Sequence, residues 1–192
     1  MAQIKIVDPA QATGKSKELL TALQNNIKSV PNLARALANS PAALKAWMEF
    51  DSALAKGSLN AKLRQEIALA VGQKNGCEYC VSAHTAIGKF AGLTDQQILN
   101  SRQGQGTSPK DTAALTFAGE LLEKRGQVPA SSIQALRDQG FTDGEIAEIV
   151  AHVALNIFTN YFNIALDVDV DLPAWHWIRW LNHESGSIRA SN

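Results

Sequence analysis

Cys77 and Cys80 are the only cysteines in the chain, and they stand in the run Gly76-Cys77-Glu78-Tyr79-Cys80-Val81-Ser82-Ala83-His84. Asn75-Gly76 is a helix-stop signal, so the run reads as the first turns of a new helix. At helical spacing Cys77, Cys80 and His84 share one face. Both sulfurs then lie where unpaired backbone N–H groups and the helix dipole favour a thiolate, the reactive form of cysteine. His84, one turn beyond Cys80, is placed to take its proton or to stabilise its anion. The spacing thus predicts a redox-active pair. Two other readings fit the same residues: a structural zinc site with His84 as third ligand, and a pair of inert core cysteines. Neither a second Cys-x-x-Cys nor a His-x-x-x-His is present to complete a zinc site, so no metal is expected.

Glu66 is the second element of this chemistry. Projected on its helix it falls beside Leu59 and Ala70, at the edge of the apolar stripe, where partial desolvation raises a carboxylate's pKa and suits it to passing protons. The competing reading is an ion pair with Lys62, one turn earlier.

The elements that must position these residues read as helices throughout, with apolar residues recurring at three and four between glycines and prolines. Leu19, Leu20, Leu23 and Ile27 mark a first helix stopped before Pro31. Ser40-Pro41 opens another, with Leu44, Trp47, Met48 and Leu54 inward and Gly57 as its stop. Asn60 caps the helix of Glu66, with its stripe at Leu63, Ile67, Ala70 and Val71. Residues 101–107 read as a flexible surface loop before a helix at Ser108-Pro109 that ends at Gly126. Gly92-Leu93-Thr94 through Ile98 is echoed by Gly140-Phe141-Thr142 through Ile146, each a glycine stop followed by a capping box. Good helix punctuation recurring by chance accounts for the echo, and so do two related helical hairpins.

The longest helix follows Thr142. Its apolar face is expected at Ile146, Val150, Val153, Ile157, Tyr161 and Ala165, and it is expected to be the central core helix. Opposite runs a polar stripe of Glu148, His152, Asn156, Thr159, Asn160 and Asn163. A solvated face usually carries Lys and Glu, so this stripe reads as buried, in a subunit contact or lining the site, with His152 facing the cysteines. The expected architecture is an all-α bundle of about eight to nine helices in one domain over residues 1–192. It has N-terminal helices at 15–39, a core at about 40–171 and a Trp-rich tail at 172–192. Trp175, Trp177 and Trp180 crowd into that tail, and packing on the body or on another subunit is expected of them.

The 192 residues suffice for one core, and the formal net charge of +0 gives no electrostatic footprint for nucleic acid or an anionic membrane. The N-terminus lacks the apolar region of a signal peptide and no run is long enough to cross a bilayer, so a cytoplasmic protein is expected.

The run from Leu63 through Glu66, Cys77, Cys80 and His84 to Ala86 resembles the alkyl hydroperoxidase D-like proteins of the carboxymuconolactone decarboxylase superfamily. The helix from His152 through Asn156 and Asn160 to Asn163 is similar to one many members carry, and the resemblance covers roughly residues 40–171. It implies an all-helical fold, assembly into homo-trimers or homo-hexamers, and a Glu–Cys–Cys–His proton relay, here Glu66, Cys77, Cys80 and His84. Tyr79 stands where the best-known peroxidase of the family has a second histidine, and a phenol is a poor base near neutral pH. Tyr79, His152, Asn156 and Asn160 are the expected site-lining residues.

The function so implied is a thiol-dependent peroxidase or disulfide oxidoreductase. Its substrate is a small-molecule peroxide, and its partner is a dithiol electron donor, since no nucleotide motif or other cofactor signal is present. Two alternatives remain at this point: a decarboxylase-like lyase acting on a small acidic ring compound, and a non-catalytic redox-sensing oligomer.

Overall fold

Nine α-helices and no strand make up the described part, residues 2–171, of this computed structural model. The expected Trp-rich tail, with His176 and His183, lies outside the described residues. In chain order the helices are α1 (Gly14–Ile27), α2 (Asn32–Leu37), α3 (Pro41–Leu54), α4 (Ala61–Lys74) and α5 (Glu78–Phe90). They continue as α6 (Asp95–Arg102), α7 (Pro109–Glu123), α8 (Ala130–Asp138) and α9 (Asp143–Ala165).

Local chemistry explains most of the boundaries. The Ser40 and Asn60 side chains accept the backbone N–H of Ala43 and Leu63, satisfying a free donor at the start of α3 and α4. At the α5–α6 junction Leu93 N–H donates to Gly88 C=O and Gly92 N–H to Lys89 C=O. Phe141 to Leu136 and Gly140 to Arg137 repeat this pattern at the α8–α9 junction. Both glycines have positive φ, and Leu93 and Phe141 are both buried. Each is a left-handed helix stop locked by a hydrophobic plug. The capping boxes of Thr94 with Gln97 and Thr142 with Glu145 are both formed.

α4 and α9 lie at the centre. α4 packs against α5, α6, α7 and α9, while α9 touches α3, α4, α5, α7 and α8. Leu63, Ile67 and Val71 of α4 meet Leu115 and Ala118 of α7, Leu136 of α8, and Ile149 and Val153 of α9 in one core. A second core gathers Leu20 and Leu23 of α1, Leu33 and Leu37 of α2 and Leu44 of α3 around Cys77, Tyr79 and Cys80.

Three expectations are corrected. Gly57 does not stop α3, which ends at Leu54 with Ala55 as its cap. Its lack of a side chain instead admits the Glu148 carboxylate, which accepts the N–H groups of Ser58 and Leu59. Only part of the segment 101–107 departs from the expected surface loop; Gln103, Gln105 and Thr107 are exposed and lie between helices. Ser101 and Arg102 close α6 and are buried, and Gly106 approaches the α7 backbone so closely that a Cβ would lie 2.5 Å from Asp111 C and Thr112 N. Finally, the apolar face assigned to α9 is half wrong. Val150, Tyr161 and Ala165 are exposed, while His152, Asn156, Thr159, Asn160 and Asn163 are buried. Apolar residues surround much of α9, so hydropathy alone does not decide which side turns inward; tertiary packing does.

Candidate functional site

The α4–α5 turn builds the site. Gly76 takes φ of 69°, Gly76 N–H donates to Gln73 C=O, and Cys77 N–H donates to Gly72 C=O, which closes α4. Cys77 is also the N-cap of α5, its sulfur accepting the Cys80 N–H at 3.2 Å. One residue therefore ends a helix with its backbone and begins the next with its side chain. Sulfur in this position meets the positive end of the helix.

Cys77 and Cys80 are joined as a disulfide, with Cα atoms 5.3 Å apart. Attack by an external dithiol on one sulfur of the pair would be directed by a difference in their exposure. The two cysteines are instead equally shut in, at 1% and 3% exposure. The Asn163 side-chain amide donates to Cys80 Sγ at 3.4 Å, so α9 does reach the pair, through a residue the site prediction left out.

His84 on α5 and His152 on α9 lie near enough to interact electrostatically. His84 is half-buried, and its Nδ1 lies 2.8 Å from Gln65 Oε1 on α4. Burial, then the nearby His152, lowers its pKa to about 4. His152 is also lowered to about 4, by burial first and by the Arg64 charge next, with Glu148 opposing. Glu148 itself is pulled up by burial, but the N–H groups of Ser58 and Leu59 outweigh this and leave its pKa lowered.

Glu66 is fully buried, yet its contact is with the segment before α7: its Oε1 accepts the Thr107 N–H at 2.7 Å. Burial raises its pKa, against the opposing Thr107 hydrogen bond, and its other oxygen has no hydrogen-bond partner. Neither the Lys62 ion pair nor a contact with His84 is among its interactions. Consecutive helical residues point about 100° apart, so Gln65 and Glu66 cannot both face His84; the structure gives that place to Gln65.

Tyr79 is buried, and its hydroxyl accepts the Leu33 N–H at 3.3 Å and donates to Asp171 Oδ1 at 3.0 Å. Asp171 in turn accepts the Asn32 N–H, so Tyr79 clasps the chain after α9 to the start of α2. Burial pushes the phenol further from any role as a base. Asn156 donates to His152 C=O, and Asn160 Oδ1 accepts the Asn75 side-chain amide, tying α9 to the turn that carries Cys77. Polar atoms of His152 (Nε2), Asn160 (Nδ2) and Asn163 (Oδ1) are buried without a hydrogen-bond partner.

Among the described residues no group of three or more His, Cys, Asp or Glu side chains converges as metal ligands would, and no helix is long and apolar enough to cross a membrane. A cavity of about 540 Å³ between α4, α6 and α7 is lined by neither cysteine nor either histidine, and lies apart from this chemistry.

Residues 41–123, spanning α3 to α7, match the model of the carboxymuconolactone decarboxylase family. The chain is 30% identical over 97 residues to the uncharacterized protein YdfG of Bacillus subtilis (strain 168). That region is 49% of this chain and 63% of the relative, less than two thirds of the relative's length. The fold is similar to the alkylhydroperoxidase AhpD core structure of a peroxidase-related protein from Ralstonia eutropha JMP134. The TM-score is 0.80, with 24% identity over 88% of this chain and 92% of that one. It is also similar to the debrominase Bmp8, solved in complex with 2,3,4-tribromopyrrole. There the TM-score is 0.73, with 19% identity over 89% and 94% of the two chains. Likenesses at these identities show a common fold.

Proposed function

We infer that this chain, an alkyl hydroperoxidase D-like member of the carboxymuconolactone decarboxylase superfamily, is a thiol-dependent oxidoreductase that reduces a small-molecule peroxide. The observation that carries this reading is the Cys77–Cys80 disulfide at the head of α5, with a hydrogen-bond donor on each side of it: the Cys80 N–H on Cys77 Sγ and the Asn163 amide on Cys80 Sγ. Both contacts favour sulfur as an anion.

In the reduced protein His84 takes the Cys80 proton, and the thiolate attacks an oxygen of the hydroperoxide. The S–O bond forms as the O–O bond breaks, the departing alkoxide leaves as the alcohol with the proton from His84, and Cys80 becomes a sulfenic acid. The Cys77 thiol then attacks the Cys80 sulfur, the disulfide forms and water leaves. An external dithiol, from a protein or a small molecule, restores both thiols by two exchanges and departs as its own disulfide. With both sulfurs buried, that exchange requires the packing around them to open. The setting is a reducing, cytoplasmic one, and no cofactor takes part.

The test is peroxide consumption with a dithiol donor, comparing wild type with Cys80→Ser, Cys77→Ser and His84→Ala. Wild type should turn over, the serine variants should lose turnover, and His84→Ala should fall by about a hundredfold. A wild type no faster than the free dithiol, although its cysteines oxidise readily, would sink the peroxidase reading and favour a redox sensor.

A further inference from the structure

Gln65 sits on α4 beside the core, and its Oε1 lies 2.8 Å from His84 Nδ1 on α5. With the amide oxygen toward the ring, this contact is a hydrogen bond when His84 carries its proton on Nδ1, which leaves the lone pair on Nε2. His84 is one turn beyond Cys80 on the same helix face, the placement a base for that thiol requires. The surrounding charges do not favour an imidazolium. His152 of α9 acts on His84 electrostatically, and Arg64 of α4 and Glu148 of α9 act on His152 in turn, with opposite signs. Glu148 is held by the N–H groups of Ser58 and Leu59, and Glu66 is turned toward Thr107. The ion pair of Lys89 with Asp95 joins α5 to α6 more than a turn further on.

We propose that Gln65 is the positioning residue of the thiol site: it fixes His84 as the Nδ1–H tautomer and, being uncharged, keeps that ring a neutral base. A carboxylate in its place would stabilise the imidazolium, and with it a standing ion pair to the Cys80 thiolate. The amide orients the ring without doing so, which agrees with the lowered pKa of His84. Cys80 is then deprotonated by His84 as the reaction proceeds, and its reactivity toward small electrophiles climbs with pH rather than starting high in acid.

The turnover part of this rests on the peroxidase reading; the tautomer and the thiol profile do not. The test is nitrogen-edited NMR of the histidine rings in the reduced protein, together with the pH dependence of Cys80 alkylation. Wild type should show His84 as a neutral Nδ1–H ring at pH 7. Gln65→Glu should raise the His84 titration midpoint by about one pH unit or more and move the alkylation profile to lower pH. Gln65→Ala should give mixed tautomers and about a tenfold drop in peroxide turnover, with the Nδ1–H tautomer recovered in Gln65→Glu. If Gln65→Ala leaves both the tautomer and the alkylation profile as in wild type, the proposal is overturned. If wild type consumes no peroxide yet His84 behaves as described, the peroxidase reading falls and the role of Gln65 stands.

Discussion

His152 is 6% exposed, with its Nε2 buried and unbonded, and this has a consequence for acid stability. Its pKa in the fold is about 4, below the usual histidine value near 6.5. A depressed histidine contributes stability that is complete above the unfolded value and is lost as pH falls from about 6.5 toward 4. Wild type should therefore need less urea to unfold at pH 5 than at pH 7, and His152→Gln should lose less between the two. Equal losses in both proteins would show that His152 is not the sensitive group, leaving the similarly lowered His84 as the source. The cysteine pair was legible from sequence because its chemistry follows from residue type and spacing. Gln65 was not, because a search for titratable groups passes over an amide; its importance depends on a neighbour nineteen residues away. Glu66 has the right chemistry, but helix rotation aims it elsewhere.

At the scale of elements, the segment between α6 and α7 is held by the site it borders. Thr107 N–H donates to Glu66, and the Thr107 and Ser108 hydroxyls both donate to Asp111. Glu66 has a raised pKa, so its burial favours folding below the ordinary carboxylate range and weighs against it as pH climbs through the raised value. Glu66→Gln keeps an acceptor for Thr107 and removes the buried charge. It should gain stability at pH 8 relative to wild type and show little difference at pH 4, as read by urea midpoints. Gly106→Ala should cost about 1–3 kcal/mol in the same measurement, because the added carbon meets α7 backbone that must shift. Such packing explains why turn residues alone read as a flexible loop. Helix starts and stops, by contrast, were legible where their hydrogen bonds are local, as at Ser40, Asn60, Thr94 and Thr142. The burial of the polar stripe of α9 was legible from its Asn and His content, but the exposure of half its assigned apolar face was not, because the helix is turned by partners far away in the chain: Asn75 for Asn160 and Cys80 for Asn163.

For the whole molecule, the outer side of α9 is the feature left over. Val150, Ala154, Phe158, Tyr161 and Ala165 are exposed along it, and Phe90 at the end of α5 is 93% exposed. A row of this kind is a face that another copy could cover, as the homo-trimer or homo-hexamer implied by the family resemblance would require. Sedimentation velocity should give a mass three or six times that of the chain, and Phe158→Glu with Tyr161→Glu should shift it toward the monomer. A wild-type monomer would overturn the expected assembly. The disulfide described at the head of α5 also bears on how the chain would withstand the proposed chemistry. It closes a ring spanning a sequence separation of only 3, and a ring that short restricts the unfolded chain little, by about 2 kcal/mol on the loop-entropy account. The bond is therefore a poor staple. In the proposed cycle, breaking it gives up about 2 kcal/mol, roughly a thirtyfold change in the ratio of folded to unfolded chain. That is less than a bond closing a long loop would cost, so most of the scaffold's stability rests on packing that does not take part.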